Sequence, residues 1–284
     1  MDNIFQRMIE ERKKKLNENA PASKQTNTDN RILYYSDQEA IERIYQILLK
    51  NARIPREYIN CSFSNFDLSF MPENEPKVKA LKEFALNYDK YFRKTNSPQS
   101  VLLYSRNNGV GKTHIAVATA KLLLYEMAKD IFNSNPYEYK RRGVILDRIK
   151  YKTPVFFMSE KKYIWCRKRY SSKNEDIIDY IEACEKAFLE SEFIIYDDLF
   201  RARDTDFYFD ELEGIIDIRY DSQKPMIFTT NVNIKTIDQL DPEINPFAER
   251  VGQGAYLLSR IEKMTKGYQF EFADYKDYRK EGIY

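Results

Sequence analysis

The stretch VLLYSRNNGVGKTHIAVATAKLLL, Val101–Leu124, decides the fold of this chain. It opens with a short apolar run, passes through the loop RNNGVGKT from Arg106 to Thr113, and continues into alanine, valine and leucine repeating at helical spacing. Strand, glycine loop and helix in that order make a phosphate cradle. Glycines let backbone N–H groups turn inward around an anion, a lysine adds charge, and the helix N-terminus adds its dipole. Nucleotide phosphates are therefore assigned to Asn108, Gly109, Val110, Gly111, Lys112, Thr113 and His114. Lys112 faces the outer phosphates and the Thr113 hydroxyl faces Mg²⁺, with ATP as the nucleotide. His114 reads as a first-turn helix residue and is given no chemistry of its own. The usual pattern opens with glycine where this sequence has Arg106, which predicts a first bend built in a non-glycine conformation.

Outward from the loop, short apolar runs alternate with longer helical segments, the signature of a parallel sheet with crossover helices. Strands are predicted at Val101–Tyr104, Pro154–Met158, Phe193–Tyr196 and Met226–Thr229. Helices are predicted at Lys112–Ile131, Lys161–Arg169, Ile177–Leu189 and Glu211–Tyr220. Residues Asn133 to Lys152, rich in Tyr, Lys and Arg, read as an insertion after the first of these helices.

Two more strand ends bring polar groups to the same edge. FIIYDD places Asp197 and Asp198 after a buried run, as a Walker B motif does, with Asp197 holding Mg²⁺ and Asp198 polarising the attacking water. MIFTTNVN places Asn231 where it can orient that water between the γ-phosphate and Asp198. Taken singly, either motif reads equally well as a solvated turn; in series after a phosphate loop they form a site.

The composition fits a globular chain: 284 residues, 43% hydrophobic and 32% charged. A net charge of +2 excludes a general polycation, so nucleic-acid contact must come from local clusters. Cys61, Cys166 and Cys184 lack zinc or disulfide spacing. No run approaches the roughly 18 apolar residues of a membrane span, so a cytoplasmic protein without membrane contact is predicted. ENAPASKQTNTDN, Glu18–Asn30, reads as a polar linker. Ile4, Met8 and Ile9 before it, and Ala40, Ile41, Ile44, Tyr45, Leu48 and Leu49 after it, recur at helical spacing and suit docking on a partner or on the chain itself. The expected division is a helical N-terminal region over 1–51 and an ATPase domain over 52–284.

With these motifs placed, the chain resembles the bacterial replicative-helicase loaders of the DnaC/DnaI type and the related IstB-like transposition ATPases. INCSFSNFDL at Ile59–Leu68, the phosphate-loop segment, FIIYDDL at Phe193–Leu199, and a tail with AERV at Ala248–Val251, SRI at Ser259–Ile261 and DYKDYRK at Asp274–Lys280 carry the likeness. The resemblance implies an α/β AAA+ P-loop domain, with a parallel sheet flanked by helices, that self-associates through its ATP interfaces. An arginine then reaches the neighbour's γ-phosphate. By motif position that is Arg260, with Arg250 the second candidate for finger or sensor. The stretch GQGAYLL lengthens the distance between the two arginines and leaves their roles open. Most AAA+ ATPases have glutamate where this chain has Asp198, one methylene shorter, which predicts slow hydrolysis.

Family loaders contact single-stranded DNA through the helix after the second strand. Here that segment is SEKKYIWCRKRYSSK, where Lys161, Lys162, Arg167, Lys168 and Arg169 suit phosphates and Tyr163, Trp165 and Tyr170 offer stacking faces. The same pattern also fits a solvated helix with Ile164 and Trp165 in the core. A second basic run, Tyr139 to Lys152, suits the same surface. The N-terminal region is where such loaders bind the hexameric replicative DNA helicase; it lacks zinc ligands, which is nearer the DnaC arrangement than the DnaI one. A transposition helper ATPase and a nucleotide-binding adaptor with little hydrolysis share these motifs. A small-molecule kinase fits less well, because it needs an arginine-rich lid and no sensor asparagine.

Overall fold

The apolar runs expected to be strands line up beside the phosphate loop in one sheet. The computed structural model describes residues 34–69, 71–141, 146–201, 206–239, 251–273 and 277. Among them, β1 (Val101–Tyr104), β2 (Val155–Ser159), β3 (Phe193–Leu199), β4 (Met226–Thr230) and β5 (Gln269–Glu271) pair in parallel in the order β2-β3-β4-β1-β5. The four predicted strands are all present and almost wholly buried, as a sheet covered on both faces requires. β5 was not foreseen from the sequence, since three partly exposed residues carry too little pattern.

The helices are α1 (Asp37–Asn51), α2 (Glu75–Leu86), α3 (Tyr88–Phe92), α4 (Lys112–Ser134), α5 (Pro136–Lys140), α6 (Asp147–Lys150), α7 (Glu160–Arg167), α8 (Glu175–Glu190), α9 (Asp206–Asp221) and α10 (Val251–Thr265). Successive strand residues face opposite sides, so the sheet serves two cores. Val101, Leu103, Phe157, Phe193, Ile195 and Ile227 pack with α1, α2 and α4. Leu102, Phe156, Met158, Ile194, Tyr196 and Phe228 pack with α7, α8, α9 and α10. Arg219, fully buried on α9, ties these layers to the lower edge of the sheet. Its guanidinium donates to the carbonyls of Phe188, Ser191, Glu192 and Pro225, and burial pushes its proton affinity down to about 9.

Helix α1 corrects the expected division of the chain. Ser36 and Glu39 form a capping box that starts it, and Ala40, Ile44 and Leu48 are buried in the core that also holds α4. Just after it, the Ala52 carbonyl accepts from Phe157 N–H at 2.8 Å, on β2. A boundary at 51/52 thus cuts through one packed unit. Residues 1–33, with the polar linker and the first apolar cluster, lie outside the described residues. No helix among the described residues is long and apolar enough to cross a membrane.

The sheet order matters for the site. It sets β1, β4 and β3 side by side, with Tyr104, Thr230 and Leu199 in register at their C-terminal ends. The phosphate loop, the Asn231 turn and the Asp197–Asp198 pair therefore open on one edge.

Candidate nucleotide site

The loop between β1 and α4 takes its two left-handed bends at Gly109 (φ 74°) and Gly111 (φ 88°). Arg106 is not among the left-handed residues, so the missing first glycine leaves no backbone conflict. Its guanidinium Nε donates to the Tyr104 hydroxyl at 3.3 Å. A Cβ on Gly111 would overlap the ring of Phe66, and one on Gly109 would overlap the carboxylate of Asp277. The loop is thus closed from outside by the CSFSNF segment and by one residue of the DYKDYRK tail, whose other residues lie outside the described ones.

Lys112 is buried at 6% exposure, and its Nζ donates to the loop carbonyls of Asn107 (2.9 Å) and Ser105 (3.4 Å). The His114 side chain turns toward the CSFSNF segment. Its Nε2 lies 2.9 Å from the Ser62 carbonyl and 3.1 Å from Asn65 Oδ1, its ring meets Phe66 edge-on, and burial holds it below its ordinary proton affinity. The ring thus anchors the CSFSNF segment on α4, helped by Lys121, which donates to the carbonyls of Ile59 and Cys61, while the backbone of His114 stays in the first turn after the loop.

The centre of the site is Asp197. Its Oδ1 accepts from the Thr113 hydroxyl at 2.8 Å and the Thr229 hydroxyl at 2.7 Å, linking α4, β3 and β4. Burial, and next the charge of Asp198, push its pKa up to about 6 against these two hydroxyls and Lys112, which pull it down. A desolvated carboxylate with a like-charged neighbour gains most from a divalent cation. Thr113 and Asp197 present hard oxygens of the kind that could hold Mg²⁺. Thr229 also accepts from Asp198 N–H at 2.9 Å, so one threonine fixes both aspartates. Thr229 is not marked by any motif; the signal for it is a hydroxyl at the end of a buried strand, one residue short of the edge.

Asp198 itself is half-buried, with a left-handed φ of 63°, and the β3–β4 register shifts between Tyr196 and Leu199. Such conformations in non-glycine residues persist where surrounding structure holds them and concentrate at functional sites. Asn231 reaches from the end of β4 to the loop after β1, its Nδ2 donating to Asn108 Oδ1 (2.9 Å) and the Arg106 carbonyl (3.2 Å). The structure therefore brings together Asn108–Thr113, Asp197, Asp198 and Asn231.

The arginines are elsewhere. Arg260 packs on α9 of its own chain, between the rings of Tyr256 (4.3 Å) and Tyr220 (4.8 Å). Its Nη1 closes an ion pair with Asp217 at 2.6 Å that is off the hydrogen-bonding direction, and Asp221 stands 3.7 Å away. These acids are in the last turns of α9, toward the edge where β4 begins, so Arg260 does not meet its own chain's phosphate loop. Arg250 lies outside the described residues.

Helix α7 divides the expected DNA contacts in two. Tyr163 is buried and donates to Glu211 at 2.8 Å; Arg167 forks onto the same carboxylate at 2.7 and 2.9 Å and pairs with Glu185 at 3.3 Å. Both are corrected from DNA ligands to struts between α7, α8 and α9, because Glu211 at 15% side-chain exposure needs both partners. Lys161, Lys162, Lys168 and Arg169 are exposed, as is Trp165 at 49%, over which Arg169 stacks at 4.3 Å. Tyr170 is also exposed. From the second basic run, Tyr139 is buried while Arg148 and Lys150 are exposed near α1, where Asn51 donates to the Lys150 and Lys152 carbonyls.

The sequence matches no family model, and no curated protein matches it. Among solved structures, the chain is similar to the crystal structure of the DnaC helicase loader, at 19% identity and a TM-score of 0.51, over 77% of this chain and 100% of that one. It is also similar to DnaI (18% identity, TM-score 0.48, over 79% and 94%) and to AMPPCP-bound DnaA from Aquifex aeolicus (14%, 0.45, over 80% and 53%). The fold is that of an AAA+ P-loop domain, a parallel sheet flanked by helices with the phosphate loop after its first strand.

Proposed function

We propose that this chain is an ATP-binding loader that holds a hexameric replicative DNA helicase and delivers it onto single-stranded DNA at the initiation of replication. The observation that carries the reading is the Thr113–Asp197–Thr229 cluster, with Asp198 and Asn231 beside it on adjacent strand ends. Loop N–H groups and Lys112 bind and orient the phosphates, and Thr113 and Asp197 would hold Mg²⁺. When bound, the metal neutralises charge on the phosphate oxygens. Asp198 takes the proton of the attacking water, and Asn231 fixes that water's position. Arg260, turned away from its own site, is the candidate that reaches a neighbouring copy, and Arg250 stays second.

The exposed side of α7, with Lys161, Lys162, Trp165, Lys168 and Arg169, supplies cations and a stacking face for single-stranded DNA. Residues before 34 are the proposed helicase-binding segment. The test is capture of candidate replicative helicases by the full chain, with and without ATP and with Lys112→Ala. Nucleotide-dependent capture lost in Lys112→Ala supports the loader; a chain that captures no helicase but assembles with a transposase supports the transposition helper instead. The short Asp198 side chain favours a second reading, an assembly switch with little hydrolysis, which a turnover measurement decides.

A further inference from the structure

Glu160 is the first residue of α7 and is fully buried, although the sequence around it, SEKKYIW, reads as a solvated basic face. Its carboxylate faces the interior. Oε1 accepts from Arg201 N–H at 2.7 Å; Oε2 accepts from Phe200 N–H at 3.1 Å and from the Tyr208 hydroxyl at 3.0 Å. The Arg201 N–H also donates to the Asp198 carbonyl at 3.0 Å, so Glu160 and the Asp198 backbone share one donor. The turn they hold is conformationally strained, with left-handed φ at Asp198 (63°) and Phe200 (67°). Glu160 therefore joins the start of the helix that presents Lys161, Lys162 and Trp165 to the turn that aims Asp198.

We propose that Glu160 is a positioning residue for Asp198, through which single-stranded nucleic acid on the outer face of α7 changes the rate of nucleotide hydrolysis. The inference rests on the nucleotide and DNA reading given above and adds the link between its two halves. The physical basis is short. A buried carboxylate with three donors moves with its helix, because leaving any of those groups unpaired in the interior is costly. A turn strained at two non-glycine residues has an ordinary backbone conformation to relax into when these bonds shift. A small displacement of α7 is thereby passed to the carboxylate of Asp198 without contact between nucleic acid and nucleotide.

The test uses the full chain with Glu160→Gln, which keeps the shape but turns one acceptor end into a donor. Three quantities are read: affinity for a fluorescent ATP analogue, affinity for an oligo-dT strand, and kcat and KM for ATP with and without that strand. In the wild type, the strand changes kcat. In Glu160→Gln, both affinities match the wild type and kcat is the same with and without the strand. A Glu160→Gln protein that keeps the wild-type response overturns the inference while leaving the loader reading intact. Tyr208→Phe removes one donor and leaves the turn's N–H bonds; a diminished response is expected, and this variant carries the test should Glu160→Gln fail to fold, an undiminished response then overturning the relay. A wild type that neither binds the strand nor hydrolyses ATP sinks the loader reading itself, and the relay with it.

Discussion

The glycine-loop edge of the sheet and the outer face of α7 hold the same kinds of side chain and use them in opposite ways. At the edge, Lys112 and Asp197 are 6% and 5% exposed, and each is held by groups from its own chain. On α7 and just after it, Lys161, Lys162 and Lys168 stand exposed, where screening leaves charges little mutual influence. Between the two lies the Glu211 cluster, where Tyr163 and Arg167 have the composition of a DNA-binding face and the placement of a core. Composition alone does not separate a working charge from a structural one; depth does, because low dielectric magnifies every unpaired group.

The sharpest way to break that contrast is at Asp198. Asp198→Asn should lower turnover by about 10²–10⁴-fold, the usual contribution of a general base, while ATP still binds. Steady-state hydrolysis beside equilibrium nucleotide binding reads both. A turnover left within a few-fold of wild type assigns the water to another group.

Asp197 comes next. Its folded pKa of about 6 lies above its ordinary value, so the folded protein keeps a proton that the unfolded chain loses. Stability therefore falls as pH rises from about 4 to about 6 and stays lower above that, by about 3 kcal/mol. Asp197→Asn should remove this pH dependence from denaturant melts of the nucleotide-free protein. It should also abolish the rise of Mg·ATP affinity across the same window, where the wild type needs the ionised form. A flat wild-type profile shows that Asp197 is not desolvated.

In the intermediate zone, Glu211→Ala leaves Arg167 and Tyr163 without their main acceptor and should cost about 2 kcal/mol of stability. Trp165→Ala should leave stability within about 0.5 kcal/mol and weaken oligo-dT binding by about 1–3 kcal/mol. If the two variants trade effects, the division of α7 into struts and contacts is wrong. The smallest effect belongs to single lysines: Lys162→Gln should reduce the slope of log affinity against log salt by about 0.7 for single-stranded DNA.

The placement of the glycine loop, Asp197, Asp198 and Asn231 at one edge of the sheet was legible because apolar runs mark strand ends in any sequence. The same logic failed for Tyr163 and Arg167, whose partner Glu211 lies 44 or more positions away in a helix that gives no hint of the contact. The ring of His114 is a similar case, since adjacency to Thr113 in sequence says nothing of the turn that carries it to Ser62 and Asn65. Arg106 went the other way: the departure in the motif makes no backbone conflict, because the bends fall at Gly109 and Gly111.

By itself, then, the sequence determined that a glycine loop after a buried strand meets a helix N-terminus, because local spacing and backbone freedom suffice to build that cradle. Tertiary structure alone decided the strand order that sets β4 between β1 and β3, the threonine that fixes both aspartates, and the pairing that makes Glu211 a strut between helices. Those depend on which distant groups become neighbours, and on how much water remains between them, neither of which is written in any local stretch of the chain.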